Sequence, residues 1–167
     1  QYFHLWFLGM ASQWMGRNVM HGNSMVPMLV GAQGDGKSTF CRMILPEELL
    51  VYYTDRVDFA KRNDAVKALT RFLLVNIDEY DSISKRQTAF LKYMLSTADV
   101  KYRNLYESIV QQHQRYAAFV ATTNNPQPLT DSTGSRRYMC VQVNERIDTS
   151  ATVDYRQMYA QAVAEIR

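Results

Sequence analysis

The chain has 167 residues, a length that suits one domain with a substantial core. Hydrophobic residues make up 47% of the chain and charged residues 21%, the ordinary composition of a globular protein. The net charge of +3 permits a nucleic-acid partner but is too small to require one.

The cysteines and histidines exclude the usual zinc-site patterns. Cys41 and Cys140 lack CxxC spacing, and His4, His21 and His113 share no metal-ligand spacing. We therefore interpret both cysteines as reduced, buried residues of a cytoplasmic protein.

The N-terminal stretch QYFHLWFLGMASQWM predicts a helix, because Phe3, Phe7, Met10 and Trp14 form one apolar stripe at helical spacing. The stretch has no basic leader and is shorter than the ~20 apolar residues that a membrane span needs, so we expect no membrane contact. The sequence also ends inside another helical pattern, over residues 155–167. We therefore expect a fragment of a longer protein.

Strand and helix patterns alternate along the rest of the chain. Short apolar runs predict strands over residues 26–30, 50–53, 72–77, 118–122 and 138–143. Helices are predicted over residues 37–45, 61–70, 84–97 and 154–166. This alternation predicts an α/β fold with a five-stranded, mainly parallel sheet flanked by helices.

The stretch GAQGDGKSTF follows the first predicted strand and leads into the first helix of this series. It matches the phosphate-binding pattern G-x-x-x-x-G-K-[ST] at Gly31, Gly36, Lys37 and Ser38. We expect Gly31, Gly34 and Gly36 to adopt positive φ, so that backbone N–H groups turn towards phosphate oxygens. Lys37 would then reach the β- and γ-phosphates, and the Ser38 hydroxyl would bind Mg²⁺.

The alternative is a glycine-rich turn with an exposed lysine. The residues predicted to hold ATP are Gly31, Gln33, Gly34, Asp35, Gly36, Lys37, Ser38 and Thr39.

Two adjacent carboxylates, Asp78 and Glu79, end the predicted strand in FLLVNIDEYD. Hydrolysis of a nucleotide needs one acid for the Mg²⁺ shell and another for the attacking water. Asp78 suits the metal role and Glu79 suits the general base. Without the upstream loop, the pair would be an ordinary acidic turn.

A neutral amide, Asn124, ends the next apolar run in AFVATTNNPQPL. If this strand lies between the two preceding ones, Asn124 is placed to contact both the γ-phosphate and the water. Asn-Asn-Pro is also strong turn chemistry in any protein, so the motif gains weight only from its place in the series.

Two arginines, Arg136 and Arg137, precede the last predicted strand. They are either a solvated pair or a candidate arginine finger that reaches the γ-phosphate of a neighbouring subunit, with Arg137 slightly preferred over Arg136.

A second basic stretch, VKYRNLY, puts Lys101 and Arg103 on one face if it is a strand. It would then form one arm of a hairpin, with residues 111–116 in or near the other. Lys101 and Arg103 would bind backbone phosphates, while Tyr102 or Tyr106 would stack on a base. The alternative is a solvated loop whose tyrosines pack on the core.

The motifs GAQGDGKSTF, LLVNIDEYD, FLKYMLSTADVKYRNLY, VATTNN and DSTGSRRYMCVQV, in this order, resemble the virulence-associated protein E (VapE/VirE) family. Its members are P-loop ATPases related to superfamily 3 helicases and the AAA+ class, in bacterial, phage and mobile-element proteins, often beside primase-like domains. The resemblance implies a Walker A motif at Lys37 and Ser38, a Walker B motif at Asp78 and Glu79, and a sensor at Asn124. It also implies a DNA-facing hairpin within residues 92–106.

The resemblance further implies an Mg²⁺-dependent ATPase that forms a ring, with a hexamer expected, and acts on nucleic acid, most simply DNA in replication. The whole chain would be one ATPase domain: a helical lead-in over residues 1–24, a core over 25–148 and the start of a C-terminal helical part over 149–167. Two rivals remain. One is a regulatory module whose bound nucleotide switches a protein partner. The other, a small-molecule kinase, is disfavoured by the Asp78-Glu79 pair, which supplies a water activator.

Overall fold

The computed structural model describes residues 1–17, 21–103, 108–129 and 135–166. The α-helices in these segments are α1 (Tyr2–Trp14), α2 (Lys37–Met43), α3 (Arg62–Arg71), α4 (Lys85–Ser96) and α5 (Tyr155–Ile166). The strands are β1 (Val26–Val30), β2 (Tyr53–Thr54), β3 (Leu74–Ile77), β4 (Asp99–Tyr102), β5 (Gln111–Gln114), β6 (Ala118–Thr123) and β7 (Tyr138–Gln142). Short 3₁₀ helices cover Glu47–Tyr52, Tyr80–Ser82 and Ser135–Arg137.

The main sheet has five strands in the order β2-β3-β6-β1-β7, and all of its neighbouring pairs are parallel. The predicted five-stranded parallel sheet flanked by helices is therefore confirmed. Strand β6 lies between β3 and β1, with Val75 opposite Phe119 and Leu29 opposite Thr122. The carboxyl ends of β1, β3 and β6 consequently meet at one edge of the sheet.

Alternate side chains of the central strands β1, β3 and β6 point into two separate cores, one on each face of the sheet. Val75 and Ile77 of β3 face the core formed with α3 and α4, whereas Leu74 faces the core formed with α1, α2 and α5. The central strands β1, β3 and β6 are buried along their whole length, as expected for a parallel sheet covered on both faces. Each fully buried side chain of the size of Leu69 or Phe119 contributes about 1.5–3 kcal/mol to stability.

The helices α1 and α5 pack together on the second of these cores. Phe7 lies 5.3 Å and Trp14 lies 5.8 Å from Tyr159, measured between ring centroids. No helix within the described residues is both long and apolar enough to cross a bilayer.

The strand predicted over residues 50–53 is largely wrong. A 3₁₀ helix occupies Glu47–Tyr52, and only Tyr53 and Thr54 pair with β3. Leu49 and Leu50 pack on the core as neighbours while Val51 and Tyr52 are exposed, a pattern that suits a tight helical turn and not a pleated strand. Cys41 is buried as predicted, but Cys140 is exposed because β7 is an edge strand.

A hairpin lies between α4 and β6 in the chain, at the amino-terminal edge of the sheet. Its strands β4 and β5 are antiparallel, with Lys101 opposite Gln112. The buried Arg115 at its base donates hydrogen bonds to the carbonyls of Met94, Leu95, Thr97, Ala117 and Asn23. Arg115 therefore fastens the hairpin to the end of α4 and to the segment before β1.

Candidate functional site

The glycine-rich loop between β1 and α2, residues 31–36, turns sharply at two of its three glycines. Gly34 has φ 91° and Gly36 has φ 81°, a region that side chains other than glycine rarely adopt. Gly31 does not share this conformation, so the prediction of positive φ there is wrong. It must be glycine for another reason: an added Cβ would lie 2.9 Å from the Val143 Cβ and 2.9 Å from Asp35 Oδ2.

The loop folds around the buried ammonium group of Lys37. Lys37 Nζ donates to the carbonyls of Gly31 at 2.9 Å and Ala32 at 2.6 Å, and to Asn124 Oδ1 at 3.0 Å. All three partners are neutral, so the positive charge of Lys37 stays uncompensated by an acid and is available to an anion.

Asp78, at the end of β3, is joined to two other elements through one oxygen. Its Oδ1 accepts hydrogen bonds from Ser38 Oγ at 2.8 Å and from Thr122 Oγ1 at 2.5 Å. Hydroxyl and carboxylate oxygens are the hard donors that Mg²⁺ prefers. Ser38 and Asp78 are thus close enough to share one cation.

Glu79 follows Asp78 in an unusual backbone conformation, with φ 50° and ψ 58°. No other non-glycine residue of the described segments has positive φ. This conformation costs about 1–3 kcal/mol and persists only where the surroundings enforce it. The Glu79 N–H donates to Thr122 Oγ1 at 3.4 Å, and the Glu79 side chain is exposed along the cleft described below.

The end of β6 is connected to the turn that follows β3. Thr123 Oγ1 donates to Asp81 Oδ2 and accepts a hydrogen bond from the Asn125 N–H at 3.0 Å. Asn124, between these two residues, faces Lys37.

These residues line a cleft of about 730 Å³ at the carboxyl edge of the sheet. Almost every residue predicted to act on ATP in its own subunit lines it: Gln33, Gly34, Asp35, Gly36, Lys37, Ser38, Thr39, Asp78, Glu79 and Asn124. Gly31 contributes its carbonyl to Lys37 from just behind the cleft. The sequence motifs missed Arg146 and Thr149, which enter the cleft from the segment after β7. No spacing rule marks them, because their position depends on how that segment folds over the loop.

The described residues contain no cluster of three or more His, Cys, Asp or Glu side chains that would hold a metal ion unaided. This fits Mg²⁺, which keeps several waters and is bound through one or two carboxylates together with substrate phosphates. Ser38 and Asp78 are the residues suited to hold it.

The candidate arginine fingers lie away from the cleft. Arg136 and Arg137 precede β7, at the amino-terminal edge of the sheet, beside a smaller pocket that Ser96 also lines. Arg137 is half-buried and its Nη2 donates to Ser96 Oγ at 3.2 Å, whereas Arg136 is exposed. Neither arginine lines the cleft of its own chain.

The predicted hairpin exists, and Lys101 and Arg103 are both exposed there. Tyr102 is oriented differently from the prediction. Its ring stacks on His113 with the centroids 4.1 Å apart, and its hydroxyl is hydrogen-bonded to Thr70 Oγ1 at 2.9 Å. Tyr102 therefore packs on the body of the domain and is not free to stack on a base. Tyr106 lies outside the described residues.

Comparison with known proteins gives the family. The model of the virulence-associated protein E-like domain matches residues 1–167, so the chain belongs to this family. No curated protein matches the chain.

Solved structures share the fold at low identity. An apo structure of the NrS-1 C-terminal region superposes with a TM-score of 0.58 and 15% identity over 97% of this chain. A second apo structure of that region, its A form, gives a TM-score of 0.57 and 15% identity over 99% of the chain. The chain spans only 39% of each NrS-1 chain.

Proposed function

We propose that this chain is a P-loop ATPase of the AAA+ and superfamily 3 type. It binds ATP with Mg²⁺ in the cleft, hydrolyses it, and uses the energy to unwind or remodel nucleic acid as part of a ring. The family membership supports this proposal, because three of the motifs that resemble the VapE family, those of Lys37, Asp78 and Asn124, meet in the cleft.

One observation carries the proposal: side chains from the ends of two strands, β3 and β6, converge on the glycine-rich loop that follows β1. Ser38 bonds Asp78 across 40 residues of sequence, and Lys37 bonds Asn124 across 87. A glycine-rich turn with an incidental lysine would not need an acid and an amide at these two positions. A cation, a metal-suited pair and a neutral amide within one cleft match what a nucleoside triphosphate requires.

The cleft residues divide the chemistry among them. Lys37 turns from the loop carbonyls to the β- and γ-phosphates, and the Gly34 and Gly36 conformations direct backbone N–H groups at the same oxygens. Mg²⁺, when bound by Ser38 and Asp78, would offset the charge on the β- and γ-phosphate oxygens. Asn124 holds the γ-phosphate and the attacking water in line.

Hydrolysis then needs one proton transfer. Water attacks the γ-phosphorus, the bond from that phosphorus to the β–γ bridging oxygen breaks, and the Glu79 carboxylate accepts the proton of the water. The enforced backbone of Glu79 sets the direction of its Cα–Cβ bond before substrate arrives. Arg136 or Arg137 of a neighbouring subunit completes the site, because each lies at the opposite edge from its own cleft.

A second candidate shares the same cleft. A regulatory module would bind ATP and hydrolyse it slowly, as a timer for a protein partner. The exposed Lys101 and Arg103 of the hairpin favour the nucleic-acid motor, since a switch needs no two neighbouring cations there.

Steady-state ATP hydrolysis by the intact protein tests the proposal, measured with and without Mg²⁺ and with and without single-stranded DNA. We expect turnover to require Mg²⁺, to rise with DNA and to vanish in Lys37→Ala. The matched control is Lys61→Ala, which removes an exposed lysine outside the cleft.

Three outcomes separate the alternatives. Turnover that rises with DNA supports the motor. Turnover indifferent to DNA and to protein concentration supports the switch. Equal nucleotide binding and turnover in Lys37→Ala and the wild type would show that the cleft is not the nucleotide site.

A further inference from the structure

The segment after β7, residues 143–149, crosses the glycine-rich loop, and we call it the strap. Two backbone hydrogen bonds anchor it: the Val143 N–H donates to Val30 O at 2.7 Å, and the Ile147 N–H donates to Asp35 O at 2.9 Å. The side chains of Val143 and Ile147 pack on the core that α1, α2 and α5 share. Residue 146 is therefore held between two fixed points.

The strap and the loop fit closely. Gly31 has no room for a Cβ because Val143 lies against it, and a Cβ on Gly36 would contact Thr149 Cγ2 at 3.4 Å and Ile147 O at 3.5 Å. The helix that follows the strap, α5, is anchored as well, because the Tyr155 and Tyr159 hydroxyls donate to the carbonyls of Met43 and Ile44 at the end of α2. The strap is thus part of the wall of the cleft.

Arg146 brings a second cation into this cleft. Lys37 is buried and bonded to loop carbonyls, whereas Arg146 is exposed and has no hydrogen-bond or ion-pair partner among the described residues. A guanidinium group is suited to phosphate because its planar fork of donors matches the phosphate oxygens.

The order of strands places Arg146 relative to the catalytic corner. Asp78 and Glu79 follow β3 and Asn124 follows β6, on one side of β1, while the strap follows β7 on the other side. With strands ~4.8 Å apart, β3 and β7 are separated by about 14 Å, which exceeds the reach of one phosphate group. If the γ-phosphate lies at the Glu79 side, the strap faces the other end of the nucleotide.

We propose that Arg146 binds, from within the same chain, a phosphate that ATP and ADP share. The strap then helps to hold the product as well as the substrate in the cleft. This proposal rests on the proposed ATPase function. It makes Arg146 a nucleotide-binding residue distinct from the candidate fingers Arg136 and Arg137.

Equilibrium binding of ATP and of ADP to the intact protein, both with Mg²⁺, tests it in Arg146→Ala, Arg146→Lys and Lys37→Ala. Removing a charge-assisted hydrogen bond should weaken both nucleotides by about 10- to 100-fold in Arg146→Ala, with the ratio of ATP to ADP affinity unchanged. Arg146→Lys should recover part of the affinity. Arg156→Ala removes an exposed arginine of α5 outside the cleft and should match the wild type.

The outcomes distinguish this inference from the function on which it rests. Wild-type affinity in Arg146→Ala, with no binding in Lys37→Ala, overturns the role of Arg146 and leaves the ATPase proposal standing. A weaker affinity for ATP alone overturns the assignment to a shared phosphate. A wild-type protein that binds neither nucleotide overturns both proposals. Thermal unfolding of each variant identifies a weakening that comes from misfolding.

Discussion

The two edges of the sheet differ in how their polar side chains are satisfied. At the carboxyl edge, side chains distant in sequence bond one another: Ser38 to Asp78, Lys37 to Asn124 and Thr123 to Asp81. Arg146 of the strap is the exception there, since it has no hydrogen-bond or ion-pair partner among the described residues. At the amino edge, Lys101, Arg103 and Arg136 are exposed and have no hydrogen-bond or ion-pair partner in the described part of the chain.

On the proposed function, this difference separates what one chain does alone from what it needs a second molecule to do. A prearranged cleft is ready for a small ligand, since its donors and acceptors are already positioned. On the proposed function, the exposed cations at the opposite edge meet an anion from elsewhere, either nucleic acid or the nucleotide of a neighbouring subunit. Helix α4 runs between the two edges and, with twelve residues, spans about 18 Å.

The largest effect expected at the amino edge is on catalysis in the neighbouring subunit. An arginine finger contributes ~10³–10⁵ in rate, so Arg136→Ala or Arg137→Ala should abolish most turnover while ATP still binds. Mixing the inactive arginine variant with inactive Lys37→Ala should restore some turnover, because a mixed interface pairs one intact finger with one intact loop. Steady-state rates over a range of mixing ratios and protein concentrations measure this.

The geometry favours Arg136 over Arg137 as the finger. Arg137 is half-buried and bonded to Ser96, whereas Arg136 is exposed. No rescue with either variant, together with turnover independent of protein concentration, would contradict the division between the two edges and favour a monomeric switch.

The next largest effect belongs to the cleft edge. Glu79→Gln keeps the size of the side chain and removes the base, so turnover should fall by ~10²–10⁴ while ATP and Mg²⁺ still bind. Rapid-quench hydrolysis with a parallel binding measurement checks both parts. Glu48→Gln, an exposed change in the 3₁₀ helix, is the control. Hydrolysis at the wild-type rate in Glu79→Gln would assign the base to another group.

The third effect is on stability and concerns the buried support of the amino edge. Burial lowers the pKa of Arg115 to about 9, which still leaves the guanidinium charged at neutral pH. Arg115→Met strands carbonyls that it now satisfies, and each buried acceptor left without a donor costs about 1–3 kcal/mol. We expect the free energy of unfolding to fall by about 3 kcal/mol or more, measured by denaturant titration.

Arg56→Met is the matched control, because the Arg56 side chain is 93% exposed. The comparison of edges adds a second expectation: below its unfolding transition, Arg115→Met should bind ATP normally, since no contact of Arg115 reaches the cleft. A weaker ATP affinity in the folded variant would show that the two edges are coupled through α4.

The sequence predicts the sheet and most of the cleft because both depend on local patterns. The strands are visible as apolar runs, and sequence order alone places Asp78 and Asn124 directly after two of them and Gly36 and Lys37 in the loop pattern between the first strand and its helix. Arg146 is not predictable in this way, since it reaches the cleft only through the anchoring of Val143 and Ile147 on elements more than 100 residues earlier. The positive φ of Glu79 likewise has no signal in residue type.

The failures have physical causes of the same kind. Residues 50–53 are apolar enough for a strand, but which of them are buried depends on packing against the core formed with α1, α2 and α5. Side chains alternate along a strand, which predicts the residues that share a face but not the face that is exposed to solvent. The pattern therefore cannot predict whether Tyr102 can stack on a base. The contacts of Tyr102 with Thr70 of α3 and His113 of β5 determine which way its ring faces, and both partners are distant in sequence.

The smallest expected effect is on the salt dependence of DNA binding, and it tests whether the exposed cations of the hairpin meet nucleic acid. Removing one cation that binds a phosphate lowers the slope of log affinity against log salt by ~0.7 for single-stranded and ~0.9 for double-stranded DNA, because fewer counterions are released. Lys101→Ala/Arg103→Ala should therefore flatten the slope by about 1.4 to 1.8 and weaken binding, with ATP affinity unchanged. The control Arg56→Ala/Lys61→Ala removes the same charge from exposed positions after β2, at the cleft edge, and should leave the slope as it is. Both double variants change the net charge equally, so a long-range electrostatic effect would flatten the salt slope in both. Direct contact between the hairpin and DNA would flatten it only in Lys101→Ala/Arg103→Ala. An unchanged slope in the hairpin variant of a protein that binds DNA would remove the hairpin from nucleic-acid binding and leave the cleft as the only part of the comparison with an assigned ligand.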